Sequence, residues 1–182
     1  MFQIHKEKNN IYWLSFLIPQ PSIVQSIAKV IKGSMIYDDY TVIRFKAQNV
    51  ERYDMKKLDY KESLRFIWSI ATQIKYLILE RRECFFIFNP QNLLKIDDTF
   101  VYIDDVMEID ETDNMTITSF VKKDDVFISP ELRETMKFPY CTHYKTIYYS
   151  FGKLLQFVSN HQFDDIDCLN NDPIKRSIQF TS

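Results

Sequence analysis

Apolar positions along the chain fall into two kinds of pattern, short continuous runs and longer stretches at helical spacing. Ile11-Tyr12-Trp13-Leu14-Ser15-Phe16-Leu17-Ile18 is a β-rich run that Pro19 and Pro21 stop, which predicts one buried strand. Ser22 to Lys32 then carries Ile23, Ile27, Val30 and Ile31 on one face, between Pro21 and Gly33, and predicts a short amphipathic helix. Met35-Ile36-Tyr37 and Thr41 to Lys46 flank Asp38-Asp39, whose short polar side chains suit a turn, so a hairpin is expected. Gln48 to Leu58 is polar and unpatterned and reads as a connector.

Asp59, with Glu62 three residues on, has the capping-box spacing that satisfies first-turn amides. The helix it starts shows one continuous apolar stripe of Leu64, Ile67, Trp68, Ala71, Ile74 and Ile78, the kind of face a helix turns to a core. Short β-type runs follow at Phe85–Phe88, Leu93–Ile96, Phe100–Ile103 and Met115–Val121. Pro90, Asp97-Asp98 and Asp104-Asp105 separate them, which predicts small antiparallel pairs. A second long helix is expected from near Thr142, with Tyr144, Ile147, Tyr148, Phe151, Leu154, Leu155 and Val158 on its apolar face. Gly152 inside it costs about 1 kcal/mol relative to alanine, so it either permits close packing or is a tolerated defect. The expected organisation is a β-rich region at 1–47, a connector at 48–58 and a second region at 59–182, in a single folding unit.

Composition narrows the function classes. With 46% hydrophobic and 26% charged residues in 182, the chain is globular and long enough for one core. A net charge of −2 and isolated basic pairs (Lys56-Lys57, Arg81-Arg82, Lys122-Lys123) argue against nucleic acid, and assign the aromatics to core packing instead of base stacking. Cys84, Cys141 and Cys168 form neither a disulfide framework nor a CxxC half-site, and no second pair completes a zinc site with Cys141 and His143, so reduced thiols and no metal are expected. The run from Ile11 to Ile18 is too short to span a bilayer and lacks a signal-peptide cleavage site. Many isoleucines, lysines and asparagines against two glycines point to an AT-rich genome.

Four local motifs occur in an order that resembles the protein-kinase fold. Asn89-Pro90-Gln91-Asn92-Leu93-Leu94 is similar to a kinase catalytic loop, with its asparagine followed by an apolar pair. Ser129-Pro130-Glu131 is similar to the Ala-Pro-Glu triplet that closes an activation segment. Tyr149-Ser150-Phe151-Gly152 resembles the Trp-Ser-x-Gly of a central helix, and Asp172-Pro173-Ile174-Lys175-Arg176 resembles the stretch holding the arginine partner of that glutamate. The resemblance covers about Asp59 to Arg176, and more loosely the first third. It is closest in kind to short kinase-like proteins of large DNA viruses. It implies an α+β, minimal bilobal fold with a small β-rich N-terminal lobe carrying one helix and a mainly helical C-terminal lobe. It further implies an ion pair between Glu131 and Arg176, and helix packing at Ser150 and Gly152.

Phosphoryl transfer needs a glycine-rich loop, a lysine held by a glutamate, metal ligands and a base. No glycine precedes the first helix, the run from Ile11 to Ile18 contains no lysine, and the helix carries Gln25, Lys29 and Lys32 without a glutamate. Counting back from Asn92 puts Ile87 at the catalytic aspartate, where an aliphatic side chain cannot accept a proton. Asn92 and Asp104 remain as vestigial metal or nucleotide ligands, although Asp104 lacks the following Phe-Gly and also reads as a turn aspartate. Phe85 and Phe86 are apolar groups suited to plug a cleft between lobes. The expected protein is therefore a catalytically inactive, kinase-like module that binds a viral or host protein, in host cytoplasm or the virion, with no cofactor. One alternative is a diverged ATP- and magnesium-dependent serine/threonine kinase using Lys46 or Lys8 at phosphates and Asp97, Asp98 or Asp104 at metal. Another is a structural virion component.

Overall fold

A computed structural model of the chain describes residues 2–54, 56–118, 127–134 and 137–159. The architecture is α+β. Strands β1 (Phe2–Lys6), β2 (Ile11–Phe16), β3 (Met35–Tyr37) and β4 (Val42–Lys46) form an antiparallel sheet in the order β1-β2-β4-β3. Alternation explains its inner face, since Tyr12, Leu14 and Phe16 of β2 and Ile43 and Phe45 of β4 are buried. Helix α1 (Pro21–Val30) links β2 to β3 and buries Ile23, Ile27 and Val30. The expected hairpin is present, with Met35 opposite Arg44 and Tyr37 opposite Val42.

Two features of this sheet differ from the sequence expectation. The strand ends at Phe16, ahead of Pro19, and leaves Leu17 and Ile18 exposed. An additional strand, β1, pairs with β2 from Phe2↔Phe16 to Lys6↔Tyr12. Its sequence buries only Phe2 fully, so its apolar signal is faint.

The connector at 48–58 contains a strand. β5 (Val50–Arg52) pairs with β7 (Leu93–Ile96), which forms a hairpin with β8 (Thr99–Tyr102), giving the order β5-β7-β8. The partner of β5 lies some forty residues away in sequence, and nothing in its own polar residues announces it. Asp97, in the β7–β8 turn at positive φ, accepts the Gln48 and Asn49 amides and fixes the entry to β5.

Helix α2 (Tyr60–Tyr76) begins with the predicted capping box: Glu62 N donates to Asp59 Oδ1 at 2.8 Å, and Asp59 N donates to Glu62 Oε2 at 3.2 Å. It runs into one π turn, Leu77–Arg81, and stops at left-handed Arg82. The face it buries is only part of the predicted stripe: Ile74 and Ile78 are inward, but Leu64, Trp68 and Ala71 are exposed. Phe66, Ile70, Ile74 and Leu77 are inward together with Ser63, Ser69 and Gln73, while Leu64 and Trp68 are 36% and 56% exposed.

Hydrogen bonding accounts for the polar residues on the buried face. β8 is an edge strand, and its outward backbone groups meet α2 instead of water. Phe100 N donates to Ser69 Oγ at 3.3 Å, Tyr102 N donates to Gln73 Oε1 at 2.8 Å, and Gln73 Nε2 donates to the Tyr102 carbonyl at 3.2 Å. Gln73 Nε2 also donates to Ser26 Oγ at 3.0 Å, which ties α1 to the same edge. Polar side chains thus take buried positions because they complete a strand's hydrogen bonding.

Beyond α2, β6 (Glu83–Cys84) pairs with β9 (Met107–Glu108), and β10 (Asn114–Ile117) with β11 (Tyr140–His143). Helices α3 (Pro130–Glu134) and α4 (Thr146–Val158) complete the described chain. α4 starts later than Thr142 because residues 140–143 are engaged as a strand. Strands β6 to β11 also mean that the described part of 59–182 is not mainly helical. Ser150 is buried on α4, but Gly152 is exposed, with nothing within 4 Å of where a Cβ would sit. It is the tolerated defect, not a packing site. One hydrophobic cluster runs from Phe2 through Phe66 and Phe88 to Val158 and joins both regions.

Candidate functional site

The candidate site is a cavity of about 430 Å³ where the first sheet and α1 face the end of the β7–β8 hairpin. Phe2, Phe16, Leu17, Ile18, Ile23 and Ile103 supply its apolar wall; Gln20, Arg52, Asn92, Asp104 and Asp105 supply polar groups. The premature end of β2 at Phe16 is what turns Leu17 and Ile18 toward this space. Apolar walls with a few convergent polar groups are the general composition of small-molecule sites. Among the described residues the one cation on the wall is Arg52, whose guanidinium lies 4.7 Å from the Phe2 ring centroid and donates to the Gln91 carbonyl at 3.3 Å.

Of the residues singled out from sequence, Asn92 and Asp104 come together on this wall. The link between them is Tyr102, which the sequence reading missed. Its side chain is fully buried, with ring contacts to Phe85 at 4.8 Å and Phe88 at 4.7 Å. Its hydroxyl accepts from Asn89 N at 2.9 Å and gives its one proton to Asp104 Oδ2 at 2.6 Å. The carbonyl of Ile87 is a longer acceptor at 3.3 Å, and the Asn92 side chain also hydrogen-bonds the Tyr102 phenol oxygen. Burial, then the Asp104 carboxylate, push the Tyr102 phenol far above its ordinary range, so it stays a protonated donor. Tyr102 and Asp104 are two residues apart on an extended segment and so lie on one side, the signal that could have exposed this pair.

Asp104 has both carboxylate oxygens engaged, because Oδ1 accepts the Asp105 amide at 2.9 Å. The phenol at Oδ2 and the amide at Oδ1 fix the orientation of the Asp104 carboxylate on this wall. Among the described residues no group of three or more His, Cys, Asp and Glu side chains is placed to hold a metal ion. Asp97 and Asp98 are used elsewhere, Asp97 at the β5 entry and Asp98 in an ion pair with Arg65 at 2.6 Å. Neither Lys46 nor Lys8 reaches the cavity wall.

Phe85 and Phe86 do not plug the cleft. Phe85 is buried in the core beneath Tyr102, and Phe86 is half-buried against the smaller cluster of Ile117, Ile128 and Leu132. Ile87 is also half-buried, with its backbone carbonyl 3.3 Å from the Tyr102 hydroxyl. Glu131 lies on the exposed side of α3, and its expected partner Arg176 lies outside the described residues, as do Cys168 and the Lys122-Lys123 pair. Burial pushes the Cys84 thiol up to about 12, which makes it an inert core group at neutral pH.

Compared with protein-family models and with curated proteins, the sequence matches none. No helix among the described residues is long and apolar enough to cross a membrane.

Proposed function

We propose that the chain is a kinase-shaped protein-binding module that does not transfer phosphoryl groups. The observation that supports this reading is Ile87: counted back from Asn92, it falls where the resemblance expects the catalytic aspartate, and an aliphatic side chain accepts no proton. The order of elements supports the kinase-like shape, a small sheet with one helix followed by a long helix and the β7–β8 hairpin that starts just after Asn92. The resemblance and the AT-rich composition support a viral source, with the protein in host cytoplasm or the virion. Incubation with labelled ATP, magnesium or manganese and general protein substrates is expected to give no transfer. Transfer that Asn92→Ala or Asp104→Ala abolishes would refute the reading.

The cavity favours a second reading, a diverged kinase that still binds nucleotide. Its volume and its apolar wall suit a heterocycle, and Asn92, Asp104 and Asp105 stand at its polar end. Millimolar ATP with magnesium raises the melting temperature if this reading holds, because a ligand of the folded state stabilises by mass action. No shift removes its support.

A further inference from the structure

The cavity between the first sheet and the β7–β8 hairpin has a wall whose charge is unbalanced. Asp104 and Asp105 stand at its polar end, and neither makes an ion pair with any described residue. The donors on Asp104 are a phenol and an amide, both neutral, so its carboxylate is held in place with its charge uncompensated. Arg52, the cation on the wall, is committed to the Phe2 ring and the Gln91 carbonyl. Two carboxylates against one guanidinium leave an excess of negative charge, and such a wall favours a cation over an anion.

The apolar part of the wall meets water at Leu17 and Ile18, which are 89% and 60% exposed although both line the cavity. Their segment is held at both ends, since Phe16 N donates to the Thr41 carbonyl at 2.8 Å and Gln20 N donates to the Tyr40 carbonyl at 3.1 Å. Phe2 and Phe16 extend the same wall, with ring centroids 6.3 Å apart. A ligand that covers these side chains removes apolar surface from water, and the pinned segment lowers the ordering cost of doing so.

We propose that the cavity binds a small organic ammonium, an apolar or aromatic body bearing one protonated amine, with the body on Phe2, Phe16, Leu17 and Ile18 and the ammonium at Asp104 and Asp105. An ammonium brings donors and no acceptor; the two carboxylates bring acceptors and no cation of their own. The proposal shares its cavity with the nucleotide reading and differs in the ligand, because a triphosphate adds negative charge to a wall that already has an excess of it.

Calorimetric titration of the full chain at neutral pH and low salt with naphthylethylamine, naphthylethanol and naphthylacetate separates the two parts of the site, since the three share one aromatic body and differ in charge. The amine is expected to bind severalfold more tightly than the alcohol, and the alcohol more tightly than the acetate. Added salt is expected to weaken the amine and to leave the alcohol unchanged. Asp105→Asn alters an exposed side chain and is expected to weaken the amine severalfold without affecting the alcohol, whereas Leu17→Ser with Ile18→Ser is expected to weaken both. In the parent protein, an amine that does not bind, or an acetate that binds as tightly as the amine, overturns the inference with no variant needed. An amine affinity unchanged in Asp105→Asn does the same. A parallel titration with ATP and magnesium keeps the two ligands apart: nucleotide bound without the amine overturns the ammonium site, and the amine bound without nucleotide supports it and removes the nucleotide reading.

Discussion

Gln73 has the clearest single-residue consequence. It is fully buried, and its one side chain satisfies both the N–H and the C=O of Tyr102 while reaching Ser26. Gln73→Met keeps length, volume and helix propensity but strands both backbone groups. Leaving a buried polar group unpaired costs about 1–3 kcal/mol, and urea unfolding is expected to show a loss in that range with an unchanged m-value. Gly152 predicts the opposite sign. A Cβ there meets nothing and the residue lies inside α4, so Gly152→Ala is expected to stabilise by about 1 kcal/mol in the same measurement. Local sequence showed glycine's helix cost but not its open surroundings. It showed Asn92 and Asp104 as candidates but not Tyr102, because a tyrosine in a β-type run looks like ordinary core until the hydroxyl's partners are placed.

At the scale of elements, what could be read locally was α1, the β3–β4 and β7–β8 hairpins and the start of α2, all of which depend on residues near one another in sequence. What could not be read depends on distant partners: β5 owes its strand to β7, and α2 owes the polar residues on its buried face to the unpaired edge of β8. Glu62 joins the two kinds of information, since it completes the capping box and also accepts from Lys95 Nζ of β7 at 2.7 Å. The bond from Lys95, partly opposed by burial, holds the Glu62 carboxyl below its ordinary value of 4.5. A depressed carboxyl contributes stability above its unfolded value and loses it as pH falls from about 4.5 through the folded value. Glu62→Gln is therefore expected to lower stability at neutral pH and to flatten the acid limb of a stability–pH curve below about 4.5. A limb as steep as the parent's would show that other carboxylates carry it.

For the whole molecule, the division at 48–58 is a boundary in sequence without being a boundary in the core. β5 lies inside the division and is hydrogen-bonded to β7, α1 and α2 meet through Ser26 and Gln73, and one apolar cluster includes residues from both regions. Such coupling predicts a single cooperative transition. In Trp68→Phe protein, fluorescence from Trp13 in β2 and far-UV circular dichroism are expected to give superimposable denaturation curves. Two separated midpoints would make the regions independent units. The edge of β8 has a last consequence, for behaviour in concentrated solution. Among the described residues, side chains of α2 shield it and no neighbouring strand does, so any substitution or partial opening that lifts α2 presents a bare row of backbone donors and acceptors to another chain. Loss of Gln73 then promotes intermolecular strand pairing and precipitation, and α2 is what keeps the protein from templating its own aggregation.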